Sequence, residues 1–298
     1  MIENETDETD CFRTKLLYEV QTNTDYISSM RASHLIQGEC AVLLQESGDI
    51  CLLTDECIVK SFDDPALIKI ASGLMPKFTT KNLWKSVHFG AQPRQFIYSD
   101  CSQVVSIDSR IKNLGNNLNN EIFKVSLEYL EFDELISRTQ IADNDFYCHL
   151  ICCSKTFVVI DERYTKQPVL SWKHNLKSSA IFLEDLYMPS FSCTFSNNYW
   201  EQSSSNDCSH LALISDACHT YSFQYSTKHN MFMSFNFPLK LDSPIDMVNY
   251  FPESYDKRLS NHIKSRLSER LVGFSALKYS NSFALFQVIM LFLKIRPF

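Results

Sequence analysis

Phe157-Val158-Val159-Ile160-Asp161 is an unbroken apolar run closed by an aspartate, and it decides the reading of this chain because it recurs. Ile50-Cys51-Leu52-Leu53-Thr54-Asp55 and Val104-Val105-Ser106-Ile107-Asp108 carry the same ending, and the three aspartates stand 53 residues apart. A fourth copy, Leu211-Ala212-Leu213-Ile214 followed by Tyr221-Ser222-Phe223-Gln224-Tyr225, arrives about ten residues late. A fixed period of this size marks stacked modules, and four-stranded propeller blades are the nearest match.

Each unit sets two apolar runs around a short polar turn, at about 39–62, 83–110, 146–174 and 208–226. The turns read Glu46-Ser47-Gly48-Asp49, Ser99-Asp100-Cys101-Ser102, Ser154-Lys155-Thr156 and Ser215-Asp216-Ala217-Cys218. With only six glycines in the chain, Ser, Asp and Asn must shape these turns by bonding to their own backbone. Leu150-Ile151-Cys152-Cys153 is apolar throughout, as a strand is when both of its faces are covered. An inner strand of a propeller blade meets that condition.

The expected fold is therefore all-β: an incomplete WD-like β-propeller of about four blades plus the start of a fifth, with a short amphipathic helix. Residues 1–38 read as an acidic N-terminal tail and lead-in, and 39–240 as propeller blades. Residues 241–275 read as a connector with a basic amphipathic helix, and 276–298 as the truncated start of a further blade. Residues 111–145 read as a long insertion with a strand or short helix at Phe123–Leu135, and 194–208 as a surface loop. The helix is expected over Asp256–Leu271, where Leu259, Ile263, Leu267 and Leu271 recur every four residues and Gly273 follows as a C-terminal cap. Lys257, Arg258, Lys264, Arg266 and Arg270 fall between the leucines, which suits either a solvated face or contact with an acidic partner or phosphate backbone.

The 298 residues are 45% hydrophobic and 13% aromatic, enough for a substantial core. Net charge is −7, from 35 acids against 28 bases, so no basic excess marks a general nucleic-acid surface. The first ten residues are acidic and lack an apolar run, unlike a signal peptide. The longest apolar stretch, Phe283–Leu293, is interrupted by Gln287 and falls short of the roughly 20 residues that span a bilayer. Eleven cysteines without a Cys-x-x-Cys pair suit a reduced intracellular chain. A nuclear or cytosolic setting is expected, with no membrane association.

Recognisable chemistry is sparse. Glycine-rich phosphate loops, a zinc-protease motif and a nucleophile elbow are all missing from the sequence. Cys208, His210, Cys218 and His219 are potential zinc ligands at a spacing no common finger uses. Cys148, Cys152 and Cys153 share a strand, where neighbours point to opposite faces. Asp55, Asp108 and Asp161 suit a ring around a channel or, the favoured reading, three strand ends each bonding its own turn. No catalytic, cofactor-binding or metal residue is assigned, no cofactor is expected, and the chain is read as a non-enzyme.

Leu83-Trp84-Lys85-Ser86-Val87-His88-Phe89-Gly90-Ala91-Gln92-Pro93-Arg94-Gln95-Phe96-Ile97-Tyr98-Ser99-Asp100, continued by Val104 to Arg110, resembles a segment of the WD-like propeller family among the TATA-box-binding-protein (TBP)-associated factors for RNA polymerase I. Val159 to Arg163, Pro168 to His174 and Ser282 to Gln287 are similar to later segments of that family, in the same order. After Gln287 the family pattern of a Gly-Asp turn and another strand is not followed. A propeller halted there would expose a blade face and strand edges, so aggregation or a need for a partner is expected of the isolated chain.

The resemblance implies a non-enzymatic scaffold subunit of the polymerase I promoter selectivity factor in the nucleus and nucleolus. Its partners would be TBP, sister TBP-associated factors and RNA polymerase I, with ribosomal RNA gene promoter DNA reached mainly through the complex. Trp84 and Trp172 suit wedges between blades, and Arg94 and Arg163 suit pairing with Asp100 or Asp161 to pin a turn. Two rivals need only the repeat. One is a generic propeller interaction module in another intracellular complex. The other is a propeller hydrolase, which His and carboxylate side chains converging in the channel would favour.

Overall fold

A computed structural model describes residues 26–54, 68–71, 74, 84–111, 120–125, 134–164, 167–188, 209–226, 233–234, 238–241, 264–265, 267, 271–279 and 282–289. Among the described residues its regular structure is antiparallel β-sheet, with a short 3-10 turn at Glu162–Tyr164 and helical backbone at Lys264, Ser265 and Leu267.

The first sheet runs β1 (Ile27–Ala32), β2 (Cys40–Leu44), β3 (Ile50–Leu53) and β4 (Ile68–Ala71) in sequence order. The second repeats it with β5 (Lys85–Phe89), β6 (Gln95–Asp100), β7 (Gln103–Asp108) and β8 (Asn120–Lys124). The third holds β9 (Ile136–Ala142), β10 (Asp145–Cys153), β11 (Thr156–Asp161) and β12 (Leu170–Lys173). In the fourth, β13 (Phe182–Met188), β14 (Ser209–Ser215) and β15 (Thr220–Ser226) are followed by β16 (Met233–Ser234) and β17 (Leu239–Leu241), both paired to β15. A hairpin of β18 (Leu271–Tyr279) and β19 (Ser282–Ile289) forms the fifth.

All four repeat units are the two middle strands of a sheet: β2–β3, β6–β7, β10–β11 and β14–β15. Side chains alternate faces along a strand, and here both faces are dry. Leu150, Cys152, Phe157 and Val159 enter a cluster with Ala212, Ile214 and Phe223 of the fourth sheet. Their immediate neighbours Ile151, Cys153, Val158 and Ile160 enter another with Ile97, Val104 and Ile122 of the second. Similar cores join the first sheet to the second, through Leu43, Leu52, Phe96 and Tyr98, and the fourth to the fifth, through Leu211, Leu213, Phe274 and Leu285. The sheets thus stack in chain order, and β6, β7, β10, β11 and β14 are each shared between two cores.

Aromatic rings fill two of these seams. Trp172 lies against Phe157 and Phe223, with ring centroids 5.7 and 5.5 Å away, between the third and fourth sheets. Trp84 sits beside the core between the second and third, under the Arg138 guanidinium at 5.6 Å.

The structure corrects three sequence expectations. Residues 111–145 are no interruption, since they contain the last strand of the second sheet and the first of the third. Polar Ser137, Arg138, Thr139 and Gln140 dilute the apolar signal of β9, because a first strand faces a neighbouring first strand and a cavity. Ile27–Ala32, within the segment read as tail and lead-in, is a strand of the first sheet. The helix over 256–271 is not supported: only Lys264, Ser265 and Leu267 within it are described as helical, and most of its span lies outside the described residues. Leu271, its expected last residue, opens β18 instead. Gly273, its expected cap, sits within that strand opposite Val288, where a Cβ would come 3.0 Å from the Val288 Cβ. Among the described residues, no helix is long and apolar enough to cross a membrane.

Candidate functional site

The first strands of successive sheets lie side by side: β1 by β5, β5 by β9, β9 by β13 and β13 by β18. Where their ends meet they enclose a cavity of about 450 Å³ to which all five sheets contribute. Arg31 and His34 come from the end of β1, His88 from β5, Asp143 from the turn after β9, and Glu184 and Asp185 from β13. Phe89, Phe146 and Leu186 supply apolar wall.

Polar residues on these strands are there because the inner edge of each sheet meets the cavity. His88 is buried and its Nε2 lies 3.1 Å from the Ser86 hydroxyl. Burial foremost, then nearby Arg31 and His149, pushes its pKa down to about 3, so the ring is neutral at physiological pH. His34 stacks on Phe146 with centroids 4.0 Å apart, and partial burial lowers its pKa too. Burial raises the Glu184 pKa against the opposing influence of Arg31 and a hydrogen bond with Gln140.

Asp185 is wholly buried and fully engaged. Its carboxylate contacts His210 Nδ1 at 2.9 Å and accepts from the Tyr225 hydroxyl at 3.3 Å and the Asp143 backbone N–H at 2.8 Å. His210 in turn stacks on Tyr225 at 4.8 Å. This network ties the third sheet's first hairpin to the fourth sheet and fixes one wall. Histidines and carboxylates do meet at the cavity, but among the described residues no Ser, Thr, Cys or Tyr hydroxyl or thiol lines it.

The recurring aspartates do not line the cavity. Asp108 accepts the Arg110 backbone N–H at 2.9 Å and its Nε at 2.8 Å. Asp161 accepts the Arg163 backbone N–H and Nε at the same two distances. These are matching Asp-x-Arg locks on the ends of β7 and β11. Asp55 lies outside the described residues. Arg163 pairs with Asp161 as expected, whereas Arg94 reaches Glu39 of the first sheet at 2.8 Å rather than Asp100. Asp100 is taken up by its own turn, where it accepts from the Ser102 and Gln103 backbone N–H groups.

The zinc candidates separate. His210 opens β14 and bonds Asp185, while Cys218 and His219 sit in the turn beyond its other end. Cys208 lies outside the described residues. Cys152 and Cys153 enter different cores, and burial pushes the Cys152 thiol up to about 12. Among the described residues no three His, Cys, Asp or Glu side chains gather as a metal cluster.

Asp216 shows how these turns hold. Burial opposes its charged form, but the Cys218, His219 and Lys177 backbone N–H groups outweigh burial and keep its pKa below the ordinary value. A depressed folded-state pKa contributes stability in full above the unfolded value of 3.8, and that contribution fades as pH falls through the folded one. Asp216→Asn should therefore lower the urea midpoint at about pH 6, and the gap to wild type should narrow towards about pH 2.5. A gap that stays constant with pH would contradict this.

Arg31, His34, Asp143 and Glu184 belong to no motif of the sequence. Arg31 and Glu184 are polar residues within strands opposite apolar Ala41 and Leu213, whereas His34 and Asp143 lie in turns and carry no signal of their own.

No protein-family model matches the chain, and no curated protein matches it. Among solved structures, a crystal structure of Saccharomyces cerevisiae Core Factor is similar at 14% identity and a TM-score of 0.39, over 73% of this chain and 41% of that one. The chain thus spans about two fifths of the length of that structure's chain.

Proposed function

We propose that this chain is a non-enzymatic scaffold subunit of the RNA polymerase I promoter selectivity factor, its sheets serving as blades of a WD-like propeller. In this role it contacts TBP, sister TBP-associated factors and the polymerase in the nucleolus, and meets ribosomal RNA gene promoter DNA mainly through the assembled complex. The observation that carries the reading is the resembling block at 83–110. Its distinctive residues bond to one another: Arg110 donates to Gln92 at 3.1 Å, Gln95 to the Ser106 hydroxyl at 2.8 Å, and the Ser109 backbone N–H to the Arg94 carbonyl at 3.0 Å. A string of residues that closes on itself in this way forms one unit, which gives the shared pattern a physical reason to be inherited whole. The net charge of −7 suits a subunit held mainly by proteins.

Affinity purification of the tagged chain from nuclear extract tests the proposal. Recovery of TBP together with polymerase I subunits is the expected result. Recovery of an unrelated assembly would refute it and favour a generic interaction module, which needs only the stacked sheets.

A further inference from the structure

The cavity at the meeting of the first strands is unused by that role. The Arg31 guanidinium, exposed at the end of β1, forms no hydrogen bond among the described residues. Asp143 and Glu184 line the same cavity, Glu184 half-buried and within reach of the Arg31 charge, Asp143 exposed. Asp185 is spent on His210, Tyr225 and the Asp143 backbone, and the two histidines are held towards their neutral forms. One cation therefore shares the cavity with two carboxylates, Asp143 with one oxygen on the Tyr187 backbone N–H and Glu184 hydrogen-bonded by Gln140, above an apolar floor that includes Phe89 and Phe146.

Complementarity selects among ligands. A simple anion on Arg31 would meet two carboxylates, and a simple cation on those carboxylates would meet Arg31. An apolar ligand would desolvate all three charges without pairing them. A volume of about 450 Å³ falls in the range of small-molecule sites. We propose that this cavity binds a small zwitterion of the basic amino-acid class, its carboxylate on Arg31 and its cationic groups on Glu184 and Asp143. Burial disfavours the ionised Glu184 carboxyl and outweighs the opposing Arg31 charge, so a cationic ligand adds to the counter-charge that Arg31 supplies.

Isothermal titration of the full chain at low salt, with L-arginine and with agmatine (its decarboxylated analogue), tests this. L-Arginine should bind saturably in the millimolar range or tighter, and agmatine roughly tenfold more weakly, as expected for one lost charge-assisted contact. Arg31→Gln should abolish the preference for L-arginine, and Glu184→Gln should weaken both ligands by roughly tenfold. Arg31 is exposed, so its replacement leaves the cores untouched. If Glu184→Gln fails to fold, Asp143→Asn in the exposed turn should show the same weakening. No saturable binding of L-arginine, or binding unchanged in the Arg31 and carboxylate variants, would overturn the proposal.

Discussion

Phe157→Ala should cost about 3–5 kcal/mol of folding stability, read as a lowered urea midpoint with an unchanged slope. Phe157 is completely buried in the seam between the third and fourth sheets. Its ring lies 4.7 Å from Phe223 and 5.7 Å from Trp172, and those two rings also touch. Both neighbours sit on paired strands, Trp172 opposite Phe157 itself and Phe223 opposite Ala212. Backbone ladders on each side stop the seam from closing over the vacated space, so the cavity term persists. Phe286→Ala is the matched control. Phe286 is 51% exposed on the fifth sheet, and its loss should change stability by no more than about 0.5 kcal/mol. A mild Phe157→Ala effect would mean the two sheets do not share that core.

Asp185→Ala should also be severe, about 3 kcal/mol or more, because three donors lose their acceptor together. The His210 ring and the Tyr225 hydroxyl are enclosed with Asp185, and the Asp143 N–H is committed to it. The His210 ring and the Tyr225 hydroxyl are themselves buried, so donors left without this acceptor bear their desolvation cost. The residues form a network, so the losses should not add. In a His210→Ala background, Asp185→Ala should cost measurably less, and a double-mutant cycle reads the difference. Full additivity would show that His210 and Asp185 do not act on each other.

The middle strands are legible in the sequence because burial on two faces favours apolar residues throughout, and Leu150 to Cys153 and Phe157 to Ile160 display that directly. First and last strands are harder to read. β9 mixes Ile136 and Ile141 with Ser137, Arg138 and Gln140, since its environment is part core, part neighbouring strand and part cavity. The four-residue leucine spacing is expected to carry a helix through Leu271, yet Leu271 packs as a strand residue because pairing with Ile289 outweighs local periodicity there. The turn-locking aspartates can be foreseen from repetition alone, and Asp108 and Asp161 act identically. The cavity cannot be foreseen, because it is assembled from short stretches of five separate sheets. Arg31 and Glu184 are 153 positions apart and carry no shared motif.

Middle strands clad on both sides are the central claim, and adjacent truncations in β10 test it most directly. Leu150 faces the core shared with the fourth sheet, and Ile151 faces the core shared with the second. Urea unfolding of Leu150→Ala and Ile151→Ala, each measured against wild type, should show losses of about 2–5 kcal/mol in both. A large loss in one and near-silence in the other would mean that one face of the strand is open to solvent, and the stacked-sheet architecture would fall.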